Sequence, residues 1–368
     1  MFKYSELRQL QLEITNRCQA SCPMCPRNIH GGINNPNLPL NSWTLDDFKH
    51  IVNIAVLEQL HTITLCGSFG DPIVNNDVLA MCEYLTQNKP NITVNIHTNG
   101  SMRSTQWWAN FARALPTNHT VAFALDGLGD THSLYRIGTD WNKVIENASA
   151  FIAAGGNAEW VFIRFKHNQH QVQAAEELSK KLGFKTFTLK DTRRFETQQF
   201  KVLDANKQVT HYLEQPTSSV IKIVDKRDLE TFDNWPNKHS INCYALDTYD
   251  VYIDAHYNVL PCCFLAAFVY TTYDKELLQQ LGVYHENSVV DMGKKIQDEV
   301  YQMINTLGCI NAKKTSLEKI IDNLDWQTMW QTRWGTASST GCVVLCSKDT
   351  PYVTLEDQHV NRNTDVQV

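Results

Sequence analysis

The first 190 residues alternate between two kinds of segment, and this alternation constrains the fold more than any other feature. Six short runs are rich in β-branched and aromatic residues: "RQLQLEIT" (8–15), "HTITLC" (61–66), "ITVNIH" (92–97), "TVAFALD" (120–126), "EWVFIRF" (159–165) and "KTFTLK" (185–190). Each reads as a strand. The stretches between them place apolar residues at helical spacing. A first helix begins at Thr44, where Thr44 and Asp47 have the spacing of a capping box; Leu45, Phe48, Ile51, Val52 and Ala55 then make one apolar face. Further helices fit about 76–88, 104–115, 141–154 and 170–182, the last stopping at Gly183. Six strands separated by five helices predict an α/β fold over 1–190, a parallel sheet wound into a full barrel or a partial (β/α)6 TIM-like one. In such folds the chemistry sits on the loops after the strands.

The loop after the first strand is "NRCQASCPMCPRN" (16–28), with Cys18, Cys22 and Cys25 within eight residues. The chain carries eleven cysteines in 368 residues. It has no apolar run of membrane-spanning length, and "MFKYSELRQL" does not read as an export signal. The expectation is a cytoplasmic protein with no membrane role, in which clustered cysteines point to metal binding or catalysis rather than disulfides. A net charge of −6 gives no general pull toward nucleic acid. A four-iron cluster has four corners, so three thiolates leave one iron open for something other than protein. Zinc is the competing reading. It wants four ligands, and only His30 stands near as a fourth. Isolated Cys82 reads as a small buried hydrophobe.

Cys18-x-x-x-Cys22-x-x-Cys25 after a first parallel strand resembles the signature of the radical S-adenosylmethionine (radical SAM) superfamily. The resemblance implies a [4Fe–4S] cluster whose open iron chelates the methionine moiety of SAM. An electron from a donor such as flavodoxin or ferredoxin then cleaves the sulfonium, and the adenosyl radical removes hydrogen from substrate. Other landmarks follow in order. "GSFGDP" (67–72) resembles the family's Gly-Gly-Glu-like motif for the SAM amino group, with Gly70 allowing close backbone approach and Asp71 in place of Glu. Its plain reading is a Gly-Asp-Pro turn. "HTNGS" (97–101) matches a Thr-Asn-Gly motif and implies that Thr98 and Asn99 face the cofactor. "FALDGLGDTHSLYR" (123–136) resembles a Ser-x-Asp-Gly…His…Arg stretch; Ala124 replaces the Ser, leaving Asp126 and Arg136. Arg136 suits a bidentate contact to the SAM carboxylate, and its plain reading is a surface salt bridge. Met24 stands where family members often use an aromatic residue against the adenine. Cys66 and His97 end the second and third strands. Cys66 is a candidate hydrogen donor or acceptor, or a buried packing residue. The same choice applies to His97.

Residues 191–240 are polar and poorly periodic, and read as a linker. A second, small α+β region over 241–350 holds Cys243, Cys262, Cys263, Cys309, Cys342 and Cys346, and a polar tail covers 351–368. Cys243, Cys262, Cys342 and Cys346 can close a complete cluster site. The region resembles the twitch/SPASM auxiliary-cluster domains of radical SAM enzymes, which implies an auxiliary [4Fe–4S] cluster on these four thiols. The dense central cysteine run of SPASM is missing, so the shorter twitch form is expected. Cys263 is an alternate ligand or a buried neighbour, and Cys309 has no assigned role. In "IDAHYNVLPCC", Tyr257 takes the glycine position of the family's hairpin. A zinc ribbon is the structural competitor. Trp326, Trp330 and Trp334 repeat at helical spacing and read as core.

The implied activity is hydrogen abstraction from a C–H bond of a small molecule or peptide, followed by net oxidation or rearrangement with help from the auxiliary cluster. A first strand so near residue 1 leans toward a small molecule or a short peptide delivered by another protein. The alternatives are a ribosomal-peptide or protein maturase and, in a different class, a non-catalytic iron–sulfur or zinc binding protein.

Overall fold

The computed structural model describes residues 2–192, 194–219, 240–285, 290–336 and 338–347. The tail expected at 351–368 and residues 220–239 of the expected linker lie outside them. The strands are β1 (Gln9–Leu12), β2 (Asn28–Ile29), β3 (Ile33–Asn34), β4 (Thr62–Leu65), β5 (Thr93–Thr98), β6 (Asn118–Ala124), β7 (Ala158–Arg164), β8 (Thr186–Asp191), β9 (Gln199–Leu203), β10 (Val209–Glu214), β11 (Asp250–Ile253) and β12 (Val259–Leu260). Eight of them form one sheet in the order β12-β11-β1-β4-β5-β6-β7-β8. The run from β1 to β8 is parallel throughout, as the strand–helix alternation predicts.

The two faces of the sheet differ. Val94, Ile96, Val121, Phe123, Trp160 and Phe162 are fully buried under the helices. Phe123, for example, packs 5.0 Å from Trp108 and 5.9 Å from Phe151, which belong to helices Thr105–Ala114 and Trp141–Ala153. The alternate residues Asn95, His97, Ala124, Glu159, Val161 and Thr188 point to the inner face and stay partly open. On β1, β4 and β11 the inner face is closed: Gln11, Glu13, Thr64, Asp250 and Tyr252 are buried.

Three features depart from expectation. The first helix is broken into Leu45–Ile51 and Ile54–Gln59. Thr44 and Asp47 do make the capping box, but Asn53 caps the second piece, its side chain accepting from the Val56 N–H at 3.2 Å. A short amide side chain bonds the backbone more readily at a helix start than inside a helix. Residues 199–214, inside the expected linker, form the antiparallel hairpin β9–β10. The second region is also continuous with the barrel sheet: β11 pairs in parallel with the outer edge of β1, Leu10 opposite Val251 and Leu12 opposite Ile253. Trp326, Trp330 and Trp334 are buried together with ring centroids 5.3–6.5 Å apart, the core stripe their spacing implies.

Candidate active site

The loop from Cys18 to Cys25 is held from below by an apolar cluster. Ala20, Cys22 and Met24 are buried with Tyr135, Phe165 and Phe195, and Cys18 and Cys25 pack against them half-buried. The Cys25 N–H donates to the Cys22 carbonyl at 3.0 Å, and the Asn28 N–H to the Cys25 carbonyl at 2.9 Å. The Ala20 N–H points at the Cys18 sulfur, 3.4 Å away. Burial pushes the Cys18 thiol up, and the charges of Asp71, Cys22 and Cys25 add to it. Burial also raises Cys22, against the pull of the Arg136 guanidinium. The three thiols are therefore within electrostatic reach of one another.

Arg136 is no surface residue. Its Nε donates to Asp126 Oδ2 at 2.5 Å, and Asp126 is wholly buried, its other oxygen accepting the Ile163 N–H at 2.6 Å. Arg136 Nη1 lies 3.7 Å from Cys22 Sγ. The carboxylate anchors one side of the guanidinium and turns the other toward the cysteine loop, where a negatively charged ligand would meet it.

Asp71 is also buried, and its carboxylate is already engaged. Oδ1 accepts the Ile73 N–H at 3.0 Å. Oδ2 accepts the Thr98 hydroxyl at 3.0 Å, the Asn99 N–H at 2.7 Å and the Asn99 side-chain amide at 2.5 Å. Asp71 thus fixes the turn after β5. Asn99 extends the network, donating to Cys18 Sγ at 3.6 Å and accepting from Gln19 Nε2 at 2.6 Å. Thr98, Asn99, Asp71 and Cys18 meet in one network, with Asp71 bonded to protein groups. Gly70 is required by close approach: a Cβ there would stand 2.0 Å from the Thr15 carbonyl oxygen. The Met24 carbonyl accepts from Arg194 Nη1 at 2.9 Å.

Cys66 is buried in the main core beside Glu13 and Asp250, the packing alternative of its two readings. His30 stacks on Phe200 with centroids 4.1 Å apart, and its Nδ1 meets the Lys201 carbonyl at 2.7 Å, so hairpin β9–β10 occupies it.

The second cysteine set is also brought together. The charge of Cys346 raises Cys262, with Cys243 and Cys342 adding to it; Cys346 is in turn raised by Cys342 and Cys243, and Cys243 by Cys342, burial being the larger cause in each case. Every pair among the four is coupled. Cys262 caps helix Cys263–Tyr270, Cys342 and Cys346 lie on helix Thr340–Cys346, and the Asn242 N–H ties the Cys243 segment to the Cys346 carbonyl at 2.9 Å. The Gly335 N–H donates to Cys342 Sγ at 3.3 Å. Cys263 is buried in the main core, and burial raises its thiol, with the charges of Cys66 and Cys262 adding to it. Cys309 is exposed and accepts the Thr315 hydroxyl at 3.3 Å. Tyr257 does sit at φ 71°, the left-handed conformation that favours glycine. Its ring stacks on Trp43 at 5.4 Å and its hydroxyl donates to Asp47 at 2.9 Å, which offsets the backbone cost.

Among the described residues, no three His, Cys, Asp or Glu side chains converge tightly enough to hold a single metal ion. A cubane gives each thiolate its own iron, so its ligands stand farther apart than those sharing one ion. In both sets the thiols are close enough to act on one another electrostatically.

Residues 12–186 match the sequence model of the radical SAM superfamily. That is just under half of the chain. The match runs from the end of β1 to the start of β8. No curated protein sequence matches the chain. SuiB of Streptococcus suis bound to S-adenosylmethionine is similar in structure at 15% identity, covering 89% of this chain and 69% of its own, with a TM-score of 0.50. SuiB bound to the precursor peptide SuiA gives 15%, 89%, 68% and 0.51. The protein anSMEcpe with bound AdoMet gives 13%, 88%, 79% and 0.50. At these identities the likeness is one of fold. A radical SAM domain implies a [4Fe–4S] cluster and SAM; here Cys18, Cys22 and Cys25 are free thiols, and Arg136 lies against Cys22.

Sequence reasoning passed over three residues that shape this site. Glu13 continues a polar alternation, Gln9-x-Gln11-x-Glu13, along one face of β1, which was its visible signal. Gln19 and Arg194 carried none. No helix among the described residues is long and apolar enough to cross a membrane.

Proposed function

We propose that this protein is a radical SAM enzyme that abstracts hydrogen from a C–H bond of a small molecule or peptide. One observation carries the reading: the loops after β1, β4, β5 and β6 converge on a three-thiol loop with a buried-anchored arginine against it. Cys18, Cys22 and Cys25 would hold the cluster, leaving one iron for SAM. When bound, the pair supplies reductive cleavage of the sulfonium and a radical able to take hydrogen. The protein's residues bind and orient. Arg136, held by Asp126, receives the SAM carboxylate. Asp71 keeps Thr98 and Asn99 in place beside Cys18. Met24 packs toward the adenine. The partly open inner face of β5–β8, with Asn95, His97, Glu159 and Thr188, offers a polar seat for substrate. That SuiB is seen with a precursor peptide supports keeping a peptide among the candidates.

Cys243, Cys262, Cys342 and Cys346 would hold an auxiliary [4Fe–4S] cluster, their mutual proximity supporting a twitch-like role. A flavodoxin or ferredoxin would supply electrons in the cytoplasm. The test is anaerobic reconstitution followed by SAM and a chemical reductant. About eight irons per chain and formation of 5′-deoxyadenosine are expected. A protein that takes up iron yet neither binds nor cleaves SAM would sink the catalytic reading and leave the non-catalytic one.

A further inference from the structure

Glu13 follows β1 on the inner face and is 1% exposed. Its Oε1 accepts two N–H groups of the loop after β4, Phe69 at 2.7 Å and Gly70 at 3.0 Å. Its Oε2 accepts the hydroxyl of Tyr252 at 2.8 Å. Tyr252 belongs to β11, is wholly buried, and its hydroxyl also interacts with Ser68 of the same loop. One carboxylate therefore joins three segments: the end of β1, the loop 67–72 and the second region.

The loop is also held by packing: Phe69 is buried, with its ring edge-on to Tyr270 at 5.7 Å. It folds tightly on itself and onto residues 15–17: a Cβ on Gly67 would meet the Gly70 carbonyl oxygen, and the Asp71 N–H donates to the Arg17 carbonyl at 3.0 Å. Without Glu13, the buried Phe69 N–H and the half-buried Gly70 N–H lose this acceptor. Asp71 is the next residue, and its carboxylate sets Thr98, Asn99 and, through Asn99, the surroundings of Cys18. A shift at 69–70 is passed directly to them.

We propose that Glu13 is a positioning residue for SAM, and that Tyr252 makes the second region part of that positioning. This rests on the reading that loop 67–72 receives SAM. All three partners are donors, which suits a carboxylate. Burial opposes them and pushes the group up to about 7. Glutamine at this site keeps an oxygen for the two N–H groups and offers its amide to the tyrosine oxygen; alanine keeps neither. Phenylalanine at 252 keeps the ring and removes only the hydroxyl.

The experiment measures SAM affinity on the reconstituted full chain, with iron content and thermal unfolding recorded for each variant. Glu13→Ala should weaken SAM about tenfold or more, a loss of about 1.4 kcal/mol, with iron content unchanged. Glu13→Gln should restore affinity to within about threefold, and Tyr252→Phe should weaken it by about two- to fivefold. A purely structural role would lower the unfolding temperature of the variants without changing SAM affinity in the folded protein. Native affinity in folded, iron-loaded Glu13→Ala overturns the proposal. If that variant does not fold, native affinity in Tyr252→Phe overturns it instead. A native protein that binds no SAM removes the underlying reading; native binding with unaltered variants removes this inference alone.

Discussion

Cys18, Cys22 and Cys25 come from one short loop, whereas Cys243, Cys262, Cys342 and Cys346 come from three separate segments of the second region. The first set is positioned by local turns and a small apolar cluster beneath it. The second exists only once helices Cys263–Tyr270 and Thr340–Cys346 have packed. Their surroundings differ as well. Cys22 has the Arg136 guanidinium against it, and Cys18 has Asn99. The second set is coupled chiefly to itself. A three-thiol loop with polar company suits exchange of a ligand, and a closed four-thiol set suits retention of what it holds.

The largest expected effect tests that contrast directly. Replacing Cys18, Cys22 and Cys25 by Ala should remove about half of the iron, roughly four of eight, and all SAM cleavage. Cys342→Ala should remove the other half yet leave SAM cleavage, while net turnover is lost. Loss of all iron from the first variant would show that the second set depends on the first.

Next comes the charge that sets the sites apart. Arg136→Ala should weaken SAM binding by about 10- to 100-fold, since charge-assisted hydrogen bonds contribute about 1.5–3 kcal/mol. It should also destabilise the fold, because Asp126 is left buried without its cation. Arg136→Lys should recover little, lacking the fork that reaches Asp126 and the loop together. Calorimetric titration with SAM separates the two losses. Asp71→Ala should cost stability as well as affinity, because four donors lose their acceptor.

The seam between the two sets gives a third test. Burial pushes Asp250 from the ordinary 3.8 up to about 7. A raised carboxylate binds its proton more tightly when folded. Its contribution is therefore fully present below the unfolded value and is lost as pH rises through about 7. The stability advantage of Asp250→Asn over native should grow by on the order of 2–3 kcal/mol between pH 5 and pH 8. Urea unfolding at the two values checks it.

The smallest effect concerns the hairpin leading to Cys262. Tyr257→Gly relieves a left-handed backbone but forfeits the Trp43 stack and the Asp47 bond. A net loss of about 1 kcal/mol is expected, with iron content unchanged, measured by thermal unfolding.

The barrel was legible because each strand and helix carries its own period. Thr44, Asp47 and Gly183 end their elements as their chemistry dictates. The three-thiol loop was legible for the same reason, since its ligands are neighbours in sequence. What Asp71 does was hidden, because its partners arrive from the next strand. The pairing of β11 with β1 was hidden further, since parallel pairing across such a separation leaves no local trace. Asn53 shows a milder case: a helical face ran through it, and its preference for a helix start prevailed.

That pairing also orders events during synthesis. The outer edge of β1 waits for β11, more than two hundred residues later in the chain. At ribosomal rates of about 5–20 residues per second this is a delay of roughly ten seconds or more. Through it Glu13 lacks Tyr252, and the inner face at β1 and β4 stays wet. The thiols of the first loop are made early, before β11 joins the outer edge of β1. The N-terminal thiols thus exist well before Cys243, Cys262, Cys342 and Cys346 are made.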